Sequence, residues 1–317
     1  MDRNLGMDLV RVTEAAALES SRLMGRGDDV AVDMAAIEAM RRAFETIAID
    51  GTIVIGEGPE DAISMLYVGE RVGTGQGPKT DVAVDAIEGP ATCATGGYNA
   101  LAVIAVSDAG ALLHVPDTYM DKIACGPEGR GVVDLDRSPA DNVRALAEAK
   151  GMYVEDLTVV VLDRPRHLKL IQEVRAAGAR IKLISDGDVS AALATTKPDT
   201  GIDLMMGVGR APQGILAAAA LTCLDGEMQA RLRPRNETEA QQLREAGVFE
   251  FGRKYRLAEL VRGNVFVAAT GVTPGDYLTG VRYVKGGAVT NSVVMRSQTK
   301  TVRFMKAYHR FDRKPQY

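Results

Sequence analysis

The residues with the clearest chemical potential lie between Asp81 and Ala100, in the string DVAVDAIEGPATCATGGYNA. Asp81 to Val84 alternates as a short apolar strand and delivers Asp85 and Glu88 to a glycine turn at Gly89. Two carboxylates three residues apart repel one another. A divalent cation relieves that repulsion, because hard cations take carboxylate oxygens and then orient phosphates. Metal-assisted phosphate chemistry is therefore the first expectation, with a solvated acidic turn as the alternative.

Other stretches offer matching parts. Thr52 to Ile55 is a β-branched run that releases Glu57 into a flexible Gly56-Glu57-Gly58 turn. Asp33 stands before an apolar-periodic stretch, Met34 to Ile47, where it reads as a helix cap. Leu157 to Leu162 is a strong strand ending in Asp163-Arg164-Pro165-Arg166-His167, a stiff turn bearing two forked donors suited to phosphate. His167 itself reads as structural. Arg180 to Ile184 is another strand and ends in Ser185-Asp186-Gly187-Asp188, which repeats the strand-to-acidic-turn pattern and by itself reads as a tight turn with two solvated acids. Asp203 to Met206 leads through Gly207-Val208-Gly209-Arg210-Ala211-Pro212-Gln213-Gly214 into a helix from Ile215 to Leu224, a loop-to-helix junction suited to anions.

The rest of the chain supplies the frame. A helix is expected over Met7 to Met24, ending at Gly25-Arg26-Gly27-Asp28, and a buried strand over Asn99 to Val106. Asp136 to Lys150 reads as a solvated helical connector, which places a division between an N-terminal lobe, 1–150, and a C-terminal lobe, 151–317. Strands and helices alternate throughout, so the fold class is α/β. Lys and Arg number 38 against 42 Asp and Glu, and a net charge of −4 gives no electrostatic case for nucleic acid or an anionic membrane. No apolar run approaches membrane-span length, and Cys93, Cys125 and Cys223 form no CxxC, so the expectation is a reducing, cytoplasmic setting.

Asp85-Ala86-Ile87-Glu88-Gly89-Pro90 resembles the Asp-Pro-Ile/Leu-Glu-Gly-Thr signature of the class II fructose-1,6-bisphosphatases, in the lithium-sensitive sugar and inositol phosphatase superfamily. The resemblance runs from Met1 to about His309 and includes Ile55-Gly56-Glu57-Gly58, Tyr119-Met120-Asp121-Lys122-Ile123-Ala124, Leu162-Asp163-Arg164-Pro165-Arg166-His167 and Asp186-Gly187-Asp188-Val189. It implies a layered α/β/α/β/α fold and hydrolysis of the 1-phosphate of fructose 1,6-bisphosphate, with sedoheptulose 1,7-bisphosphate as a second substrate. It implies Mn2+ or Mg2+ held by Asp33, Glu57, Asp85, Glu88 and Gln213, with Asp85, Glu88 and Asp61 catalytic. Substrate contacts are implied at Glu88, Gly89, Tyr119, Arg164, Pro165, Arg166, Asp186, Gly187, Asp188 and Arg210, in a homodimer or homotetramer. Five positions depart from the family at or beside the site: Asp29, Pro59, Pro90, Arg210 and Gln213. The threonine hydroxyl, the glutamate ligand and a glycine at the substrate are thereby replaced by Pro90, Gln213 and Arg210. Those departures raise two alternatives, a sugar-phosphate-binding or regulatory protein without turnover and a phosphatase with a shifted substrate.

Overall fold

The computed structural model describes residues 4–59 and 62–313. The chain divides into two compact units, Met1–Leu112 with Gly263–Tyr317, and Leu113–Arg262. These bounds differ from a division at residue 150, because the polypeptide leaves the first unit and later returns to complete its sheet.

In the first unit, α1 (Leu5–Ser21) and α2 (Asp29–Phe44) present Leu9, Val12 and Ala16, and Ile37, Met40 and Phe44, to a common core. Asp28, with extended backbone, caps α2 by accepting the Ala31 N–H at 2.9 Å. The capping reading of Asp33 is thus corrected: Asp33 lies inside α2, one turn past the cap.

The sheet of this unit contains β1 (Asp50–Ile55), β2 (Arg71–Val72), β3 (Lys79–Glu88) and β4 (Leu101–Asp108). It is completed by β11 (Val265–Gly271), β12 (Arg282–Val284), β13 (Gly287–Arg296) and β14 (Thr301–Arg310). The order is β12-β13-β11-β4-β3-β1-β2, with β14 against β13. Here β1 and β3 run parallel, and the other pairs are antiparallel. The register of β11 on β4, from Val265↔Ser107 to Gly271↔Leu101, draws the C-terminal segment back beside the N-terminal one.

The second unit is built on β5 (Tyr119–Cys125), β6 (Thr158–Leu162), β7 (Arg180–Ile184), β8 (Leu204–Arg210), β9 (Glu227–Arg233) and β10 (Tyr255–Arg256), in the order β10-β9-β5-β8-β6-β7. Of these, β7, β6 and β8 are parallel. The segment expected as a solvated connector is α4 (Pro139–Lys150), capped by Ser138 on the Asp141 N–H. It is part of this unit, because Val143, Leu146 and Ala147 are buried in a core with Val159 and Val161. Both units combine sheets with helices, so the fold is α/β. Cys93, Cys125 and Cys223 are free and buried.

Candidate active site

β3 is longer than the sequence suggests and carries both acids within the strand rather than in a turn beyond it. In a regular strand, residues three apart point to opposite faces. Here the pairing of β3 with β4 shifts register between Asp85↔Val103 and Glu88↔Leu101. That β-bulge sets two residues of β3 opposite one of β4 and turns Asp85 and Glu88 to the same face. Both acids are buried, at 7% and 3% exposure.

Glu57 follows β1, whose parallel pairing with β3 places the carboxyl ends of both strands side by side. Its Oε1 accepts the Ala86 N–H at 2.7 Å, which ties Glu57 to the bulge next to Asp85. Gly56 is required for this approach, since a Cβ there would lie 2.1 Å from the Leu66 carbonyl oxygen.

α3 (Pro90–Ala94) begins directly after Glu88-Gly89, with Gly89 left-handed at φ 85° and Pro90 at the first helical position. That position suits proline, whose missing N–H would have had no helical partner. The Gly25 N–H donates to the Cys93 carbonyl at 3.0 Å and the Gly27 N–H to that of Ala94 at 2.9 Å. These bonds dock the entry to α2, and with it the turn bearing Asp33, on α3. Asp61 lies outside the described residues.

Among the described residues, no group of three His, Cys, Asp or Glu side chains lies close enough to hold a metal ion. Glu57, Asp85 and Glu88 are neighbours in the fold, linked by the Ala86 N–H bond and the bulge. Their chemistry fits a hard divalent ion: the donors are all oxygen, two are buried, and a third is tethered to their strand.

In the second unit the carboxyl ends of parallel β6, β7 and β8 collect the remaining candidates, as strand ends in α/β folds do. Arg164 donates to the Asp163 and Ser185 carbonyls at 3.0 and 2.6 Å. Arg166 donates through Nε and Nη2 to the Val208 carbonyl at 3.0 and 2.8 Å. Pro165 opens the short 3-10 turn between them and fixes its direction. The Tyr119 ring lies under two guanidinium groups, 5.1 Å from Arg166 and 4.7 Å from Arg235.

Asp186 ends the β7 turn, and burial raises its pKa despite a hydrogen bond from the Gly187 N–H. Gly187 is left-handed, and Asp188 opens α5 (Asp188–Ala194). Asp188 forms a buried ion pair with Lys122. The expected glycine loop is corrected: Gly207 and Gly209 belong to β8, and α6 (Ala211–Cys223) follows at once with Gln213 in its first turn. Arg210 grips the Asp117 carboxylate through Nε at 2.8 Å and Nη2 at 2.5 Å. Asp33, Glu57, Asp85 and Glu88 thus belong to the first unit, and Gln213 and the sugar-grip candidates to the second.

Sequence reasoning passed over Lys122, Asp117 and Arg235. Lys122 had a signal, because it shares a strand face with the apolar Met120 and Ala124.

His167 is buried and ties the end of β6 to β8. Its Nε2 accepts the Val208 N–H at 2.8 Å, so Nδ1 carries the proton donated to the Leu162 carbonyl at 2.7 Å. Burial lowers its pKa, outweighing the Leu162 hydrogen bond that opposes the shift. The native state therefore refuses a proton that the unfolded chain takes up near about pH 6.5. Stability present above that pH is lost as pH falls below it. Urea midpoints measured between neutral and mildly acidic pH are expected to fall less steeply in His167→Gln than in the native protein; equal slopes would remove His167 from the pH dependence.

No helix among the described residues is long and apolar enough to cross a membrane. The sequence matches the family described as "Bacterial fructose-1,6-bisphosphatase, glpX-encoded" over residues 3–309. Among curated proteins it is 43% identical to a D-fructose 1,6-bisphosphatase class 2/sedoheptulose 1,7-bisphosphatase of Synechococcus sp. (strain JA-3-3Ab), over 98% of this chain and 97% of that one. The protein of the same name from Synechococcus elongatus is 42% identical over 98% of both chains. With a match spanning nearly its whole length, the chain belongs to the glpX-encoded bacterial fructose-1,6-bisphosphatase family.

Proposed function

We propose that this protein is a metal-dependent phosphatase that removes the 1-phosphate of fructose 1,6-bisphosphate, giving fructose 6-phosphate and phosphate, with sedoheptulose 1,7-bisphosphate as a second substrate. The observation that carries the reading is the bulge in β3, which turns two buried acids to one face and receives Glu57 from the neighbouring parallel strand. Mn2+ or Mg2+, when bound, supplies Lewis acidity toward the phosphate and lowers the pKa of a water.

Asp33, Glu57, Asp85, Glu88 and the amide oxygen of Gln213 are the groups assigned to hold it, and Asp61 is assigned a catalytic role with Asp85 and Glu88. Glu88 and Gly89 also meet the substrate at the strand end. In the second unit, Arg164 and Arg166 bind the phosphate that is kept, and their bonds to backbone carbonyls fix where the remaining N–H groups point. Pro165 and Gly187 shape the two turns, Asp186 and Asp188 accept from sugar hydroxyls, Tyr119 bears on the phosphate end, and Arg210 lies beside it. The reading extends to a cytoplasmic homodimer or homotetramer.

A second reading, sugar-phosphate binding without turnover, is favoured by one observation. Pro90 begins α3 where a threonine would offer a hydroxyl.

Phosphate release from fructose 1,6-bisphosphate with Mn2+, and its loss on chelation, tests the first reading. Measurable sugar-phosphate binding with no release would replace it by the second. The double variant Pro90→Thr and Gln213→Glu restores a hydroxyl and a charge, and is expected to raise turnover about 10²-fold. Threonine is tolerated at a first helical position, so the variant is expected to fold. An unchanged rate would remove those two positions from the chemistry.

A further inference from the structure

A second constellation lies wholly within the first unit and takes no part in the site above. Cross-strand register aligns Val82, Val106, Phe266, Arg296 and Thr301 across the sheet, with Arg303 two residues further along β14 opposite Val294. Directly paired residues share a face, so Arg296, Thr301 and Arg303 point to the side on which α1 packs. The first turn of α1 lies on that face: a Cβ on Gly6 would be 3.1 Å from Val294 Cγ2 and 3.4 Å from Phe266 Cδ1. Between them is a cavity of about 420 Å³ lined by Asn4, Gly6, Phe266, Arg296, Thr301 and Arg303 among others.

Three features make this cavity attractive to an anion. The guanidinium of Arg296 lies 5.0 Å over the Phe266 ring and bonds Gln298 Oε1 through Nη2, yet its buried Nε has no hydrogen-bond partner. A buried donor left so is costly, and an anion satisfies it. The first turn of α1 lines the cavity through Asn4, Gly6 and Met7, and a helix start carries a partial positive charge. The acid in that first turn, Asp8, is taken by Arg11 Nη1 at 2.8 Å, so it does not neutralise the two arginines.

We propose that this cavity binds a phosphate-class anion, either inorganic phosphate or the phosphate of a monoester, as a site distinct from the acids at the end of β3. The separation is geometric. Arg296 aligns with Val82 on β3, three residues from Asp85 and therefore on the opposite face. It also lies three strands away, about 14 Å at ordinary strand spacing.

Equilibrium dialysis with labelled inorganic phosphate, at constant ionic strength, tests the site in the full-length protein. The native chain is expected to bind one phosphate more than Arg296→Gln or Arg303→Gln, or to bind it roughly tenfold more tightly than either. Turnover in both variants is expected to match the native protein. Displacement of the label by phenyl phosphate below the concentration at which unlabelled phosphate acts identifies a monoester as the ligand; the reverse order identifies inorganic phosphate. Equal displacement by chloride would mark an adventitious ion only and overturn the proposal, as would unchanged binding in the variants. Should Arg296→Gln fail to fold, Arg303→Gln decides alone, since that side chain is exposed on the last strand of the sheet.

Discussion

Replacing Asp85 by asparagine is expected to lower phosphate release from fructose 1,6-bisphosphate about 10³-fold, the scale on which one preorganised charge-stabilising group acts. The fold has little reason to suffer. Asparagine keeps the volume and one oxygen, and Asp85 shares a buried strand face with Glu88, so neutralising one of the pair removes a repulsion between like charges. Without divalent ion the variant is therefore expected to unfold at a temperature equal to or above that of the native protein.

With Mn2+ the order reverses. An ion at a hundredfold excess over its dissociation constant stabilises the protein that binds it by about 2.7 kcal/mol. The variant, having lost a ligand charge, is expected to show little of that gain. Paired measurements of turnover and of the Mn2+-dependent rise in melting temperature read the two effects separately. A variant that keeps turnover within tenfold and still gains the full thermal shift would remove Asp85 from the ion, and with it the proposed role of the bulge.

The bulge also marks where reading the sequence stops. Asp85-Ala86-Ile87-Glu88 has the same residues whether the strand is flat or bulged; only the register against Val103 and Leu101 decides, and those partners lie in another strand. Strands bounded by clear turn residues, such as Arg180–Ile184 between Gly178 and Ser185-Asp186-Gly187, are legible to the residue. So is the gathering of turns at strand ends, because an acidic or basic turn after a β-branched run has few other places to go.

Asp33 was less legible because Asp28 and Asp33 offer equally good caps. The choice fell to Asp28, whose extended backbone lets it meet the Ala31 N–H. The return of Val265–Gly271 to the first unit, which moves the boundary from residue 150, rests on pairing with Leu101–Ser107 across about half the chain. Nothing local announces it. The stretch from Gly207 to Gly214 reads as a loop because glycines usually make loops, yet Gly207 and Gly209 are strand residues. The smallness of Gly209 serves a pair of charges that meet from positions 122 and 188, and that of Gly207 makes room for the His167 ring.

That pair yields the second large effect. Lys122→Met is expected to destabilise the unit spanning Leu113–Arg262 by about 3–5 kcal/mol, the usual consequence of leaving one member of a buried ion pair without its partner. Lys122 is 1% exposed, and its ammonium meets the Asp188 carboxylate and the Arg210 carbonyl oxygen, the latter at 3.1 Å. Water has little way in: a Cβ on Gly209 would lie 1.9 Å from Asp188 Oδ2 and 2.8 Å from Lys122 Nζ. Methionine fills the channel of the aliphatic stem, so lost packing contributes little and the stranded carboxylate contributes most.

The double variant Lys122→Met with Asp188→Asn removes that stranded charge and is expected to recover much of the loss. Urea unfolding of the native protein, both single variants and the double variant gives the coupling energy directly. A loss under about 1 kcal/mol in Lys122→Met would show that Asp188 finds its compensation elsewhere. Because Asp188 is also assigned to the sugar, freeing it from Lys122 is expected to raise KM for fructose 1,6-bisphosphate more than it lowers kcat. The ammonium would then act on the substrate only through the carboxylate that it holds in place.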